Sequence, residues 1–478
     1  MKRHSSKFRY VPLVAVMLLA AACQAGGPEV GREATDTETG PAEVPAEGNE
    51  NTGEGEGDSL ASDAEDAPKT ADTPDTSETP EDTPGGETKP GPSGDLTFGK
   101  DATAPSASWK KPALGQSYDD PAYGTKVTRV TSADGTRFNR NTYSRREAEN
   151  ANGTMFMTYH GSAAYHVYDV ASNDLVAALD VHPDGDPQWH PGEPTIIRHT
   201  TGANSYVGSL TLQETDVATG TTKTVADLTS RVKAALPGAA YLTDRAEGSP
   251  SEDGNRHAWM VYNAAEDPIG VVSYDLASDT VLGTTTIGGS PKVDWVSMSP
   301  SGKYVVASSD AGTHVYNADM SNKRLLTEAI EHSDIGYDTD GSDAYVYIDF
   351  ESSSATAGWL VSVNMDTLAR TKIFNIYDKA NSSVHISAKN YDEPGWAVIS
   401  SYSCKVNGAW TCNKVFAVEL EPNGRILNLA HTYNCGENYW TETHAVVNRD
   451  FSRIYFNSDS GSCGTDAEVF RIDVPTFS

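Results

Sequence analysis

The chain has 478 residues and a formal charge of −31, from 67 acidic residues against 36 Lys and Arg. Such an acidic surplus repels phosphate backbones and excludes nucleic acid as an expected partner. The charge is unevenly distributed, so the chain divides into three stretches of different composition.

Residues 1–23, MKRHSSKFRYVPLVAVMLLAAAC, carry four basic residues and no acid ahead of an apolar run from Val11 to Ala22. That run is shorter than the roughly 20 residues that span a bilayer, so it reads as an export signal rather than a membrane helix. LAAAC resembles the lipobox of bacterial lipoproteins, which implies a lipidated Cys23 as the mature N-terminus. Gln24, in place of an aspartate after that cysteine, then implies an outer membrane lipoprotein, anchored only through its lipid and facing the periplasm or the cell surface.

Residues 24–98 hold 20 Asp and Glu, three Lys and Arg, and one aromatic, Phe98. A stretch so poor in apolar side chains cannot offset the conformational entropy of folding, and like charges extend it, so it is expected to be a disordered acidic tether.

Residues 99–478 contain a phrase that recurs seven times, a strand, a turn of the SPSG kind and another strand. It begins at 143, 187, 247, 296, 335, 385 and 444, and VSMSPSGKYVVASS is its clearest copy. A second hairpin phrase follows each, as in HVYDVASNDLVAALDV and VVSYDLASDTVLGTTTI. Four short strands per unit, repeated every 40 to 60 residues or so, predict an all-β, seven-bladed propeller. The last copy, VFRIDVPTFS, leaves its blade one strand short, and TKVTRVTS at 125–132 is the spare strand expected to complete it and close the ring. The repeated phrase resembles the inner hairpin of TolB-like and WD40-like (PD40) propellers.

With Cys23 assigned to lipid, four cysteines remain, and in an exported protein they favour disulfides over zinc. A hairpin over Asn407, Gly408 and Ala409 would set Cys404 opposite Cys412, leaving Cys435 to pair with Cys463.

Residues just before each first phrase converge at one end of a propeller channel. They include Tyr143, Arg145, Gln188, Arg245, Glu247, Asp294, His332, Asp334, His385, Glu442 and His444. His332, His385 and His444 come from consecutive blades at equivalent places, so their imidazoles are the expected metal ligands, for calcium or manganese. Tyr439 and Trp440 in GENYW, with Trp410 at a hairpin tip, are expected to be exposed for stacking on sugars or partner proteins. The ligand is expected to be an envelope protein or an extracellular glycan, bound without catalysis by a monomer.

PQWHPGEPTIIRHT is also similar to a second-blade phrase of oligogalacturonate lyases, propellers that cleave uronic-acid glycans by β-elimination at a metal in the channel. That resemblance implies an alternative activity as a polysaccharide lyase. Arg145 or Arg245 would neutralise the substrate carboxylate, and His385, His444 or Tyr143 would move the proton. The closely spaced glutamine and two histidines of that family near the last blade have one histidine counterpart here, His444 in TETHAV.

Overall fold

A computed structural model describes residues 96–478, apart from 183–184, 203–207, 245–246, 288–292, 329–331, 352–353, 377–381, 405–408, 436–438, 465 and 476–478. The stretch expected to be an export signal, Cys23, most of the expected acidic tether and Arg245 therefore lie outside the described residues.

Seven antiparallel four-stranded units follow one another in chain order. Each is named by its first and last strand in the chain. Blade one runs from Phe138–Arg140 to Leu175–Leu179, blade two from Gln188–Trp189 to Thr221–Asp227, and blade three from Ala239–Thr243 to Thr280–Thr286. Blade four runs from Val293–Met298 to Arg324–Thr327, blade five from Ser333–Tyr337 to Arg370–Asn375, and blade six from Ser382–Ser387 to Ile426–His431. Blade seven has three strands of its own, Val446–Val447, Arg453–Ser458 and Ala467–Asp473. Its fourth is the early strand Lys126–Arg129, antiparallel to the last with Lys126 opposite Asp473 and Arg129 opposite Phe470.

The seven-bladed ring with a borrowed strand is therefore present, and closure goes beyond expectation in two ways. Ser117–Asp119 adds a fifth strand outside Lys126–Arg129. Ala467 and Glu468 also pair in parallel with Phe138 and Asn139 of blade one, joining first and last blades by backbone hydrogen bonds.

Strand periodicity explains why this sequence needs a ring. Successive side chains on a strand point to opposite faces, and both faces of each blade meet a neighbour. Trp295 joins the apolar cluster between blades four and five, whereas the next residue, Val296, joins that between blades three and four. Tyr345 and Val346 divide in the same way between the clusters on either side of blade five. The seven apolar clusters among the described residues correspond to the seven junctions between blades. The strands consequently read as near-continuous apolar runs rather than alternating ones.

Leu96, within the stretch expected to be tether, packs against the apolar cluster between blades six and seven. Phe98 bridges Leu427, and Asn428 donates through its backbone and side-chain amides to the carbonyl of Thr97. Trp109 then stacks on Tyr433 at 4.0 Å between ring centroids. The DTDGSDAY segment forms the tight turn between Ser333–Tyr337 and Asp343–Ile348, with the Asp338 amide donating to the Ser342 carbonyl.

If the lent strand closes the ring, deleting residues 117–131 should expose the Ala467–Asp473 edge and release Val127 from its fully buried site. We expect a melting temperature lower by about 10 °C or more and concentration-dependent self-association, read by calorimetry and light scattering. A monomer of unchanged melting temperature would contradict closure.

Candidate functional site

The first blade breaks the repeat at one place. Its inner strand stops at Arg140, and residues 141–147 leave it before the backbone rejoins the hairpin at the Glu149–Phe156 bridge. This insert touches every other blade. Arg146 pairs with Asp186 of blade two at 3.3 Å and Asp244 of blade three at 2.7 Å. Arg145 pairs with Glu247 of blade three, lies 4.2 Å over the Trp295 ring of blade four, and donates to the Ser333 carbonyl of blade five. Tyr143 packs on His385 of blade six and His444 of blade seven, at 5.8 and 4.9 Å between ring centroids. Glu147 pairs with Arg449 of blade seven at 2.7 Å. The insert thus occupies the axis of the ring.

Two of the expected ligand histidines, His385 and His444, meet beside this insert, with Glu442 as the third group. Their potential ligand atoms lie within 4.8 Å of one another. His385 Nε2 is 2.9 Å and His444 Nε2 3.3 Å from the same Glu442 oxygen. His332 stands one layer away. Its ring stacks on His385 at 4.8 Å, and its Nδ1 donates to the Val384 carbonyl at 2.5 Å, which leaves Nε2 as an acceptor. His444 has φ 39°, in the left-handed region that a β-carbon disfavours and that concentrates at functional positions.

Burial tunes these rings. It pushes His444 down to about 3, aided by neighbouring His385. Burial also lowers His385 far below the ordinary imidazole value, with His332 next in effect, and it lowers His332 itself. All three are neutral at pH 7, the state in which imidazole offers a lone pair to a metal. Arg140, which has only donors to give, lies with Nη1 3.3 Å from His444 Nδ1. That nitrogen therefore accepts, and the His444 ring proton sits on Nε2 facing Glu442.

The remaining expected residues divide between bracing and exposure. Glu247 neutralises Arg145. Gln188 donates to the Asp244 carboxylate and the Gly248 carbonyl. Asp334 is buried against Lys389 at 2.8 Å and accepts from the Ala388 amide. Asp294 is buried on the inner strand of blade four. Tyr439 is 36% exposed, and Trp440 stacks on Phe138 at 4.9 Å and 3°. Trp410 corrects the expectation of an exposed tip: it is 7% exposed and packs on Phe374 and Phe416 in the core between blades five and six. The Cys435–Cys463 disulfide is present, with Cys435 four positions before Tyr439 in sequence. Cys412 is disulfide-bonded, while the Cys404 side chain lies outside the described residues.

Sequence reasoning misses Arg140, because the repeated phrase begins at Tyr143 and Arg140 falls before it. It also placed Glu442 among ligand-binding residues without seeing that it completes the histidine pair. The spacing Glu442-x-His444 was the available signal.

Two outcomes follow from this geometry. Arg145→Met removes the guanidinium that faces Glu247, Trp295 and Ser333 at the axis and should cost about 3–5 kcal/mol in urea unfolding, against under about 1 kcal/mol for Arg425→Met at its half-exposed pair with Glu419. Equal costs would contradict the bracing role. Second, His444 and the equally buried His257 both have folded values of about 3, well below the 6.5 of a free imidazole. The unfolded chain therefore takes up protons first, so their contribution is complete above pH 6.5 and is lost as pH falls toward 3, by up to about 1.4 kcal/mol per unit for each. Replacing His257 with Phe should flatten that slope; an unchanged slope would contradict the assignment.

No family model and no curated protein matches the chain. Solved structures do match its fold. An oligogalacturonate lyase in complex with manganese aligns with a TM-score of 0.52 and 16% identity, covering 80% of this chain and 96% of that one. An oligogalacturonate lyase from Vibrio parahaemolyticus aligns with a TM-score of 0.51 and 14% identity, over 75% and 96% of the two chains. TolB from Acinetobacter baumannii aligns less fully, at 15% identity and a TM-score of 0.33, over 56% of this chain and 60% of that one. The fold is therefore that of a seven-bladed β-propeller, shared across nearly the whole length of two lyases.

Proposed function

We propose that this protein is a lipid-anchored envelope propeller that binds an acidic glycan through a divalent cation held by His385, Glu442 and His444. The observation that carries the reading is the meeting of two neutral imidazoles and one carboxylate, from blades six and seven, at the axis of the ring. Two imidazoles with a carboxylate suit manganese or zinc better than calcium, which prefers an all-oxygen shell. His332, stacked behind His385, is a neighbour of this set rather than a member. A cation held at His444 Nε2 would require that ring's proton on Nδ1, the atom that now faces Arg140 at 3.3 Å. Bound metal would supply the positive charge that an acidic body otherwise lacks for attracting a polyanion. The anchor and its outer membrane destination rest on LAAAC followed by Gln24, and no helix among the described residues is long and apolar enough to cross a membrane.

A lyase working at the same site is the second reading, favoured by the fold shared with two oligogalacturonate lyases and by Tyr143, whose ring packs on both imidazoles. Binding without turnover is preferred because Arg145 is committed to Glu247 and Ser333 and has no charge to spare for a substrate.

Calorimetric titration of metal-stripped protein with manganese should give one site per chain. His385→Ala and His444→Ala should weaken it at least about tenfold, as loss of a ligand or its support does. No heat in the wild type, or equal affinity in the variants, would overturn the cation site. Incubation of the manganese-loaded protein with pectate, alginate or ulvan fragments separates the two readings. Ultraviolet absorbance from an unsaturated uronyl product establishes the lyase, and its absence with retained binding supports the binder.

A further inference from the structure

Arg140 stands apart from the other arginines of the interior. Three arginines among the described residues are less than a tenth exposed: Arg140 at 5%, Arg145 at 4% and Arg146 at 2%. Arg145 has Glu247, and Arg146 has Asp186 and Asp244. Arg140 has no carboxylate within ion-pair distance among the described residues. Its one hydrogen-bond contact is the neutral His444 Nδ1 at 3.3 Å, and its Nε is buried with no partner.

A guanidinium removed from water without a counter-charge is costly, and a planar donor fork of this kind is shaped for a carboxylate. The surroundings are equally specific. The charge lies 4.8 Å over the Trp440 ring, 5.5 Å from that of Phe138 and 5.6 Å from that of Tyr439. Cation–π contacts offset part of the lost hydration and hold the fork in place. They leave its need for an anion unmet. Tyr439, 36% exposed, is the solvent-facing wall of this aromatic box.

We propose that Arg140, boxed by Phe138, Tyr439 and Trp440, is the receptor for a ligand carboxylate carried on a sugar ring, a hexuronate unit whose ring lies against Tyr439 and Trp440. The inference rests on the acidic-glycan reading of this end of the propeller. It assigns the anion-recognising role to a residue other than Arg145 and Arg245, and it requires no metal.

Trigalacturonate and its fully methyl-esterified form are titrated into metal-stripped protein in EDTA, with tryptophan fluorescence as the signal, since Trp440 lies against Arg140. Wild type should bind the free acid saturably and the ester at least tenfold more weakly. Arg140→Met should lose at least tenfold in affinity for the acid, and Arg140→Lys should recover part of it. Thermal unfolding of Arg140→Met should be no worse than wild type, because the substitution removes an unpaired buried charge. Should that variant not fold, Arg140→Lys and the acid-to-ester ratio of the wild type decide the matter. Equal affinity for acid and ester, no binding of the acid, or unchanged affinity in the Arg140 variants would overturn the proposal. Manganese calorimetry on Arg140→Met reports the cation site separately: retained metal binding with lost acid binding supports the carboxylate receptor, whereas lost metal binding with retained acid binding overturns the Arg140 assignment.

Discussion

Seven blades around an axis leave a channel, and what fills it determines everything the mouth can do. Here the filler is covalently part of blade one: residues 141–147 step out of an inner strand and tie to all six other blades. Its two guanidiniums, Arg145 and Arg146, are buried, and such charges persist in an interior only with partners arranged around them. Those partners, Glu247, Asp186 and Asp244, come from blades two and three. These three acids are therefore the counter-ions of the insert. This is why so many polar residues before the inner strands prove to brace the ring, while the histidines and Glu442 on the opposite side of the insert are left for chemistry.

The architecture was legible because it is written in repeats. Turn residues at regular spacing give the blades, and the short last copy requires a strand from elsewhere, which TKVTRVTS supplies. The apolar clusters add the reason: Trp295 and Val296 are neighbours in sequence yet belong to different junctions, so a blade with fewer than two neighbours would expose one of its faces. The fifth strand, Ser117–Asp119, was not legible, since three residues carry no periodicity. Nor was the parallel link between Phe138 and Ala467, which joins residues 329 positions apart.

The site was half legible, for physical reasons that differ by residue. His385 and His444 occupy equivalent places in successive blades, and the repeat itself brings them together. Glu442 was visible as a mouth residue, but its place between the two imidazoles depends on the left-handed turn at His444, which no pattern announces. Arg140 precedes the insert and looks like an ordinary strand end; only the absence of an acidic partner among the described residues, a three-dimensional property, singles it out. Trp410 failed in the other direction, because an aromatic near a hairpin tip is exposed only if no neighbouring blade covers it, and Phe374 of blade five does. Lys414 shows the same cover at work: its ammonium is lowered to about 8 chiefly by burial and donates to the Asp101 carbonyl from the arm that precedes the ring.

The account joins a filled axis to a two-histidine, one-carboxylate cluster and a boxed arginine, all within one end of the ring. Its central claim is that the cluster is a cation site. The most direct measurement is anomalous diffraction at the manganese edge from crystals soaked in manganese chloride. The account predicts a peak within about 2.0–2.4 Å of donor atoms of His385, Glu442 and His444. Fully soaked crystals with no peak there, or with manganese bound only elsewhere, would contradict it.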